Sequence, residues 1–273
     1  MSWKVIFAFH ATMVFGFIAA LFIRDLTSFL IFTLFATLSA GLDFHIIYDP
    51  ILGVQTGAFA EGIGFDLADF ILLILAGGFL IKVGIERRVP DLRFDRRISI
   101  IWLLWLFWLI LVAILWAGRP NYALYETLAL FKGYIFFLFI LNFPLKRKTL
   151  KMMVYGLFLG TTFQALFAIF QFLTKSHFTV AGEAPRYLAA EGFRSIGWLG
   201  SADGTAILLV TVIPIALGYY FNEKSRPMRL LMVAILGICV AGTLVTKVRI
   251  AGLSLMISLF VLFILGLRAG WIK

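Results

Sequence analysis

Residues 98–117, ISIIWLLWLFWLILVAILWA, carry no charged side chain, and a run of that kind leaves a chain few ways to fold. About 18 or more consecutive apolar residues match the hydrocarbon thickness of a bilayer when wound as a helix. Inside a bilayer every backbone N–H and C=O must find its partner within the protein, so only helices and closed barrels cross. Barrel strands alternate polar and apolar residues, and this run does not. Reading the other apolar runs gives nine candidate spans near 5–23, 26–42, 67–85, 98–117, 123–143, 150–173, 205–221, 229–246 and 250–267. Composition agrees, with 62% hydrophobic and 14% charged residues and a mean hydropathy of +1.02. Globular chains run at about 45–50% apolar and 25% charged. The expected fold class is all-α, a polytopic integral membrane helical bundle with about 8–9 transmembrane helices.

The first two apolar segments are separated only by Arg24 and Asp25, and the second is short enough to be re-entrant or interfacial. Residues 1–66 read as an N-terminal hydrophobic hairpin with an extracytoplasmic loop, and residues 67–273 as a membrane core. The first stretch has no obvious small-residue cleavage site and runs on into a second, so no cleavable signal peptide is expected. The single cysteine, Cys239, lies in an apolar run, permits no internal disulfide and reads as a packing residue.

Cytoplasmic loops carry an excess of Lys and Arg. Lys82, Arg87, Arg88, Arg93, Arg96, Arg97, Lys146, Arg147, Lys148, Lys151, Lys224, Arg226, Arg229, Arg268 and Lys273 fall on one side, 15 of the 24 basic residues. The loop from 43 to 66 on the opposite side has no Lys or Arg but holds Asp43, Asp49, Glu61 and Asp66. This orients the chain from residue 67 onward, whereas two full crossings before residue 43 would put Met1 outside. The net charge of +10 is then explained by topology and anionic lipid, which disfavours nucleic acid as a partner.

The cations on the outer side run against that rule. The loop from 174 to 204 contains Lys175, Arg186 and Arg194 with five glycines and Pro185, so an irregular, turn-rich segment is expected. Ser201, Asp203 or Thr205 can cap the helix that follows, and a Gly-rich turn opening onto a helix offers N–H groups to an anion. Lys247 and Arg249 sit at a turn between two spans. On a continuous helix they would point about 200° apart, so one at most would aim into a shared cleft. They either snorkel to the interface or face a cavity. Lys132 lies inside the span 123–143; six residues from Glu126, it does not share a face with it, and an interior role is favoured. Asp66 and Asp69 suit the positive end of a helix dipole. His10 and His45 lie in the N-terminal region and read as packing or hydrogen-bonding residues, His177 lies in the outer loop, and no metal-ligand, nucleotide-loop or Ser-His-Asp pattern occurs.

The stretches FRSIGWLGSADGTAILLVTVIPIALGYY and RLLMVAILGICVAGTLVTKVRIAGLSLMISLFVLFIL resemble the membrane core of the O-antigen ligase and O-antigen polymerase family. Arg194, Gly197 and Gly200 match its Arg-x-x-Gly turn, Ala206 and Pro214 the helix that follows, and Thr246 with Arg249 its Thr-x-x-Arg turn. FDLADFILLILAGGFL, YETLALFKGYIFFLFILNF and FQALFAIFQFL follow the family's order, so the resemblance covers residues 60–267. Lys247 replaces a smaller or polar residue, and Gly252 does not directly follow the arginine. The resemblance implies a metal- and cofactor-independent glycosyltransferase of the bacterial inner membrane. It would take a glycan from undecaprenyl diphosphate at the periplasmic face and pass it to lipid A-core or to another glycan. Arg249 would be catalytic, stabilising the departing diphosphate, and Arg194, Lys247, Lys132 and Gly200 would bind lipid diphosphate or glycan. Family members continue into a long outer loop with a second Arg and a His. The expectation is therefore that this chain is C-terminally truncated or completed by a partner.

Two other classes remain beside this one. A transporter or flippase also has many spans and cavity-facing cations, though no internal repeat is visible. A non-catalytic membrane scaffold would use Arg249 for stability alone.

Overall fold

Helix starts follow capping chemistry. The computed structural model describes residues 25–38, 44–48, 62–86, 95–117, 120–143, 146–178, 186–188, 192–198 and 201–268. Asp95 precedes the run quoted above, and its carboxylate accepts from the N–H groups of Arg97 and Ile98 at 3.1 and 3.0 Å. Asp66 and Asp69 cap reciprocally: each carboxylate accepts from the other residue's N–H, at 2.9 and 3.0 Å. Of the three candidate caps before the helix at residue 202, Ser201 takes the position, its hydroxyl accepting from Gly204 N–H at 3.2 Å.

The described elements are α1 (Leu26–Thr37), β1 (Phe44–Tyr48), β2 (Gly62–Phe65), α2 (Leu67–Glu86), α3 (Arg96–Leu115), α4 (Pro120–Asn142), α5 (Arg147–Thr174), β3 (Arg186–Leu188), β4 (Gly192–Arg194), α6 (Ala202–Asn222), α7 (Arg226–Thr246) and α8 (Arg249–Arg268). The helices α2 to α8 are seven helices long and apolar enough to cross a membrane. The candidate span 5–23 lies outside the described residues. In the segment 26–42 the described residues form α1, which at 12 residues is short for a full crossing. At 1.5 Å per residue that is about 18 Å, against about 30 Å of hydrocarbon. The Thr37 hydroxyl folds back onto the carbonyls of Thr33 and Leu34 where the helix ends.

Two short strand pairs lie among the described loop residues. Strands β1 and β2 pair antiparallel with an irregularity between His45 and Ile47. Within 174–204, β3 and β4 pair antiparallel, Arg186 opposite Arg194 and Leu188 opposite Gly192. Gly192 at φ +73° supplies the left-handed backbone that starts the second strand of that hairpin.

Two compact units divide the chain. The first comprises residues 1–27 and 43–150, in which α3 packs on α4, with Trp102 stacked on Tyr134 at 6.0 Å, and β2 packs against α4. The second comprises 28–42 and 151–273. Its core joins Phe158 and Ala165 of α5, Leu209 and Val212 of α6, and Met232 and Cys239 of α7, all 2% exposed or less. Helices in lipid gain little from apolar burial against one another, so close approach decides their packing. Gly242 of α7 provides it: a β-carbon there would lie 2.7 Å from Ala165 Cβ and 3.0 Å from Leu209 Cδ1. Gly156 of α5 does the same for α1, lying against the carbonyl of Phe32.

Candidate anion-binding site

A second, smaller core anchors the candidate site. Ile196, Ala202, Ala206, Val210, Val248 and Ala251 pack together, joining the turn after β4 to α6 and to the junction of α7 and α8. Arg194 precedes Ile196 by two residues, and Lys247 and Arg249 flank Val248. Burying the apolar residues therefore fixes the backbone on which the three cations stand.

The turn itself is held by two fully buried amides on α5. Gln171 Oε1 accepts from the N–H groups of Ile196 and Gly197 at 3.2 and 2.9 Å, and its Nε2 donates to Phe178 O at 2.9 Å. One turn pair back on α5, Gln164 Oε1 accepts from Trp198 N–H at 3.0 Å, and its Nε2 donates to Thr205 Oγ1 at 2.7 Å. The Thr205 hydroxyl donates in turn to Ile196 O at 2.6 Å. Thr205 thus belongs to this network and not to the helix cap. Gly197, at φ +67°, lies against the Gln164 amide and 2.8 Å from the Thr205 hydroxyl as measured from where its β-carbon would be, so only glycine fits. Ser195 Oγ and Trp198 Nε1 are buried at the same turn without a hydrogen-bond partner among the described residues.

Arg194 is bound on two sides. Its Nε donates to Thr246 O, at the end of α7, at 3.1 Å, and its Nη2 lies 2.7 Å from Asp203 Oδ1 in the first turn of α6. Ser195 N–H also reaches Val245 O at 3.3 Å. The guanidinium therefore meets the negative end of one helix dipole and bridges to the next helix.

Lys247 is not helical. It closes α7 in the left-handed conformation at φ 55°, and α8 begins two residues later at Arg249. The expected angular separation consequently does not apply, and Lys247 and Arg249 line the same open groove of about 390 Å³, with Thr243 and Gly252 among its walls. The ammonium of Lys247 sits 5.7 Å from the centroid of Phe172 and 3.3 Å from where a Gly192 β-carbon would stand. Lys175, the left-handed residue after α5, lies 3.9 Å from the same ring and 5.3 Å from that of Phe193. The His177 and Phe193 rings meet in a T-shaped pair with centroids 5.7 Å apart. Lys175, Arg194, Lys247 and Arg249 thus stand at one end of the unit, and Arg194 among them is paired with Asp203.

Of the residues expected to form the site, Arg194, Lys247 and Arg249 come together. Gly200 lies outside the described residues. Lys132 belongs to the other unit, where its ammonium forms an ion pair with Asp69 Oδ2. Gln164 and Gln171 were not singled out from the sequence, and Asp203 only as a candidate helix cap. Their signal was two amides seven residues apart in FQALFAIFQFL, a spacing that puts both on one helix face. Among the described residues no group of three or more His, Cys, Asp or Glu side chains is placed to hold a metal.

The class this defines is an all-α protein with the long apolar helices of a multi-pass membrane protein, bearing an open, largely apolar groove at the α7–α8 junction to which Lys247 and Arg249 contribute. No family model, curated protein or solved structure matches the chain.

Proposed function

We propose that the chain is a glycosyltransferase-family protein of cell-surface polysaccharide assembly in a bacterial inner membrane, using a glycan carried on a lipid diphosphate. The observation that carries this reading is the shared groove of Lys247 and Arg249, with Arg194 fixed beside it. The loop charges assign that end of the helices to the side where cations are scarce. In glycan transfer an acceptor hydroxyl attacks the anomeric carbon, the bond from that carbon to the diphosphate oxygen breaks, and the diphosphate leaves with the electron pair. A guanidinium and an ammonium held at the leaving oxygens stabilise the charge that develops. Arg249, first residue of α8, adds the positive end of a helix to that field. The acceptor, lipid A-core for a ligase or a further repeat unit for a polymerase, supplies the hydroxyl and loses its proton.

The test is transfer of lipid-linked glycan in membranes containing the chain with Arg249→Ala, alongside a check that the variant inserts normally. Loss of transfer with normal insertion supports the reading. Unchanged transfer, or an effect only on stability, favours the scaffold.

A further inference from the structure

Helices α5 and α7 end in the same way, and the two ends meet. Thr174 closes α5 and Thr246 closes α7, and the next residue in each case is a lysine in the left-handed conformation, Lys175 at φ 53° and Lys247 at φ 55°. Among the described residues no other non-glycine residue has a positive φ. Glycine or asparagine is the usual occupant of such a position, because a β-carbon is penalised there. Both ammoniums then come to one ring, Lys175 Nζ 3.9 Å and Lys247 Nζ 5.7 Å from the centroid of Phe172. The negative end of a helix favours a cation anywhere in its last turn, but that attraction does not draw ammoniums from two helices to one ring.

Among the described residues neither lysine has an acidic partner. Two like charges brought close repel, and an anion placed between them reverses the sign of the interaction. Lys247 lines the groove with Arg249, whereas Lys175 stands beyond it on the rings of Phe172 and Phe193. With a diphosphate at Lys247 and Arg249, Lys175 is left for a second anionic group of the same ligand, and on a lipid-linked glycan that group is on a sugar. The ammonium of Lys247 has three donors, enough for a diphosphate oxygen and a carboxylate together. We propose that Lys175 and Lys247 bind the carboxylate of an acidic sugar near the diphosphate end of the glycan. The proposal rests on the reading of the groove as a diphosphate site and names the class of glycan it takes.

Binding of two probes to the full chain in detergent tests it: undecaprenyl diphosphate carrying glucose, and the same lipid carrying glucuronic acid, which differs by one carboxylate. Lys175 is exposed, so solvent weakens its attraction, and the wild type should prefer the glucuronyl probe by about fivefold. Lys175→Asn removes the charge at a left-handed position that asparagine tolerates, so the turn persists and the preference should vanish. Lys175→Arg, which restores a cation, should keep it. Equal affinity of the wild type for the two probes, or a preference that survives Lys175→Asn, would overturn the acidic-sugar site and leave the diphosphate reading standing. Failure of the wild type to bind either probe would instead remove the diphosphate reading, and this proposal with it.

Discussion

Arg194 holds the end of helix α7 to the start of helix α6, its Nε 3.1 Å from Thr246 O and its Nη2 2.7 Å from Asp203 Oδ1. These two contacts are unequal. Asp203 is 59% exposed, so solvent screens its attraction and it contributes under about 1 kcal/mol. The bond to Thr246 satisfies a helix-end carbonyl beside a largely buried guanidinium. Arg194→Lys, which cannot span both partners, is expected to cost about 1–2 kcal/mol, and Asp203→Asn less. Thermal unfolding of both variants in detergent measures this, and an Asp203→Asn loss equal to that of Arg194→Lys would contradict it.

Gln171 accepts from two adjacent backbone N–H groups in a place water does not reach. Gln171→Leu leaves both without an acceptor, and at about 1–3 kcal/mol for each buried orphan the variant should lose about 2–6 kcal/mol. The Gly197 turn should loosen first, so proteolysis between residues 175 and 201 is expected to accelerate before the helices unfold. Cleavage there at the wild-type rate would show that the amide does not hold the turn.

Gly242 is a contact and Gly237, one and a half turns earlier on α7, faces open space. Gly242→Ala pushes a methyl group against Ala165 and Leu209 and should destabilise by about 1–3 kcal/mol. Gly237→Ala meets nothing and should gain up to about 1 kcal/mol from helix propensity. Opposite signs in one unfolding series are the expected result; a matching pair would place the α5–α7 contact elsewhere.

The spans were legible because a run such as 98–117 has one solution in a bilayer, and α2 to α8 fall on seven of the runs. The shortness of the second segment was legible too, but the end of α1 at Thr37 was not, because it goes with local threonine hydrogen bonds to Thr33 and Leu34 that hydropathy ignores. Lys247 and Arg249 were legible as cations at a turn. Their sharing of a groove was not, because it follows from one left-handed residue at Lys247, a conformation that a lysine does not announce. Lys132 read as an interior charge, but its partner is 63 residues away at Asp69, a distance that helix-face arguments cannot bridge.

Glu223 closes the turn between α6 and α7. Its Oε1 accepts from the N–H of Ser225 at 3.0 Å and from that of Lys224 at 2.9 Å. The Ser225 bond first, then that of Lys224, with Lys151 nearby, holds the carboxyl below the usual glutamate range. A depressed folded value means that the turn's stabilisation is complete above the ordinary glutamate pKa and disappears as pH falls through the lower folded value. Amide exchange at Lys224 and Ser225 should therefore show less protection, relative to intrinsic rates, as the medium is acidified below the ordinary glutamate value. Glu223→Gln should abolish that dependence, and a persistent acid transition in this variant would assign it to another group.

Lys247 separates stability from chemistry. At φ 55° a lysine carries a backbone penalty that glycine does not, about 1 kcal/mol. Against this stands a distant cation–π contact to Phe172, worth about 0.5 kcal/mol at an exposed site. Lys247→Gly should thus unfold at the same temperature as the wild type or slightly above it. If the groove holds a diphosphate, the same variant loses one of its cations and should bind a lipid diphosphate about tenfold more weakly, or roughly 1.4 kcal/mol. Lys175→Gly relieves the same strain at φ 53° but lies outside the groove lining, so its effect on binding should be smaller. Unchanged binding in Lys247→Gly with the protein intact would make this cation a helix-end device and weaken the case for transfer chemistry at the groove.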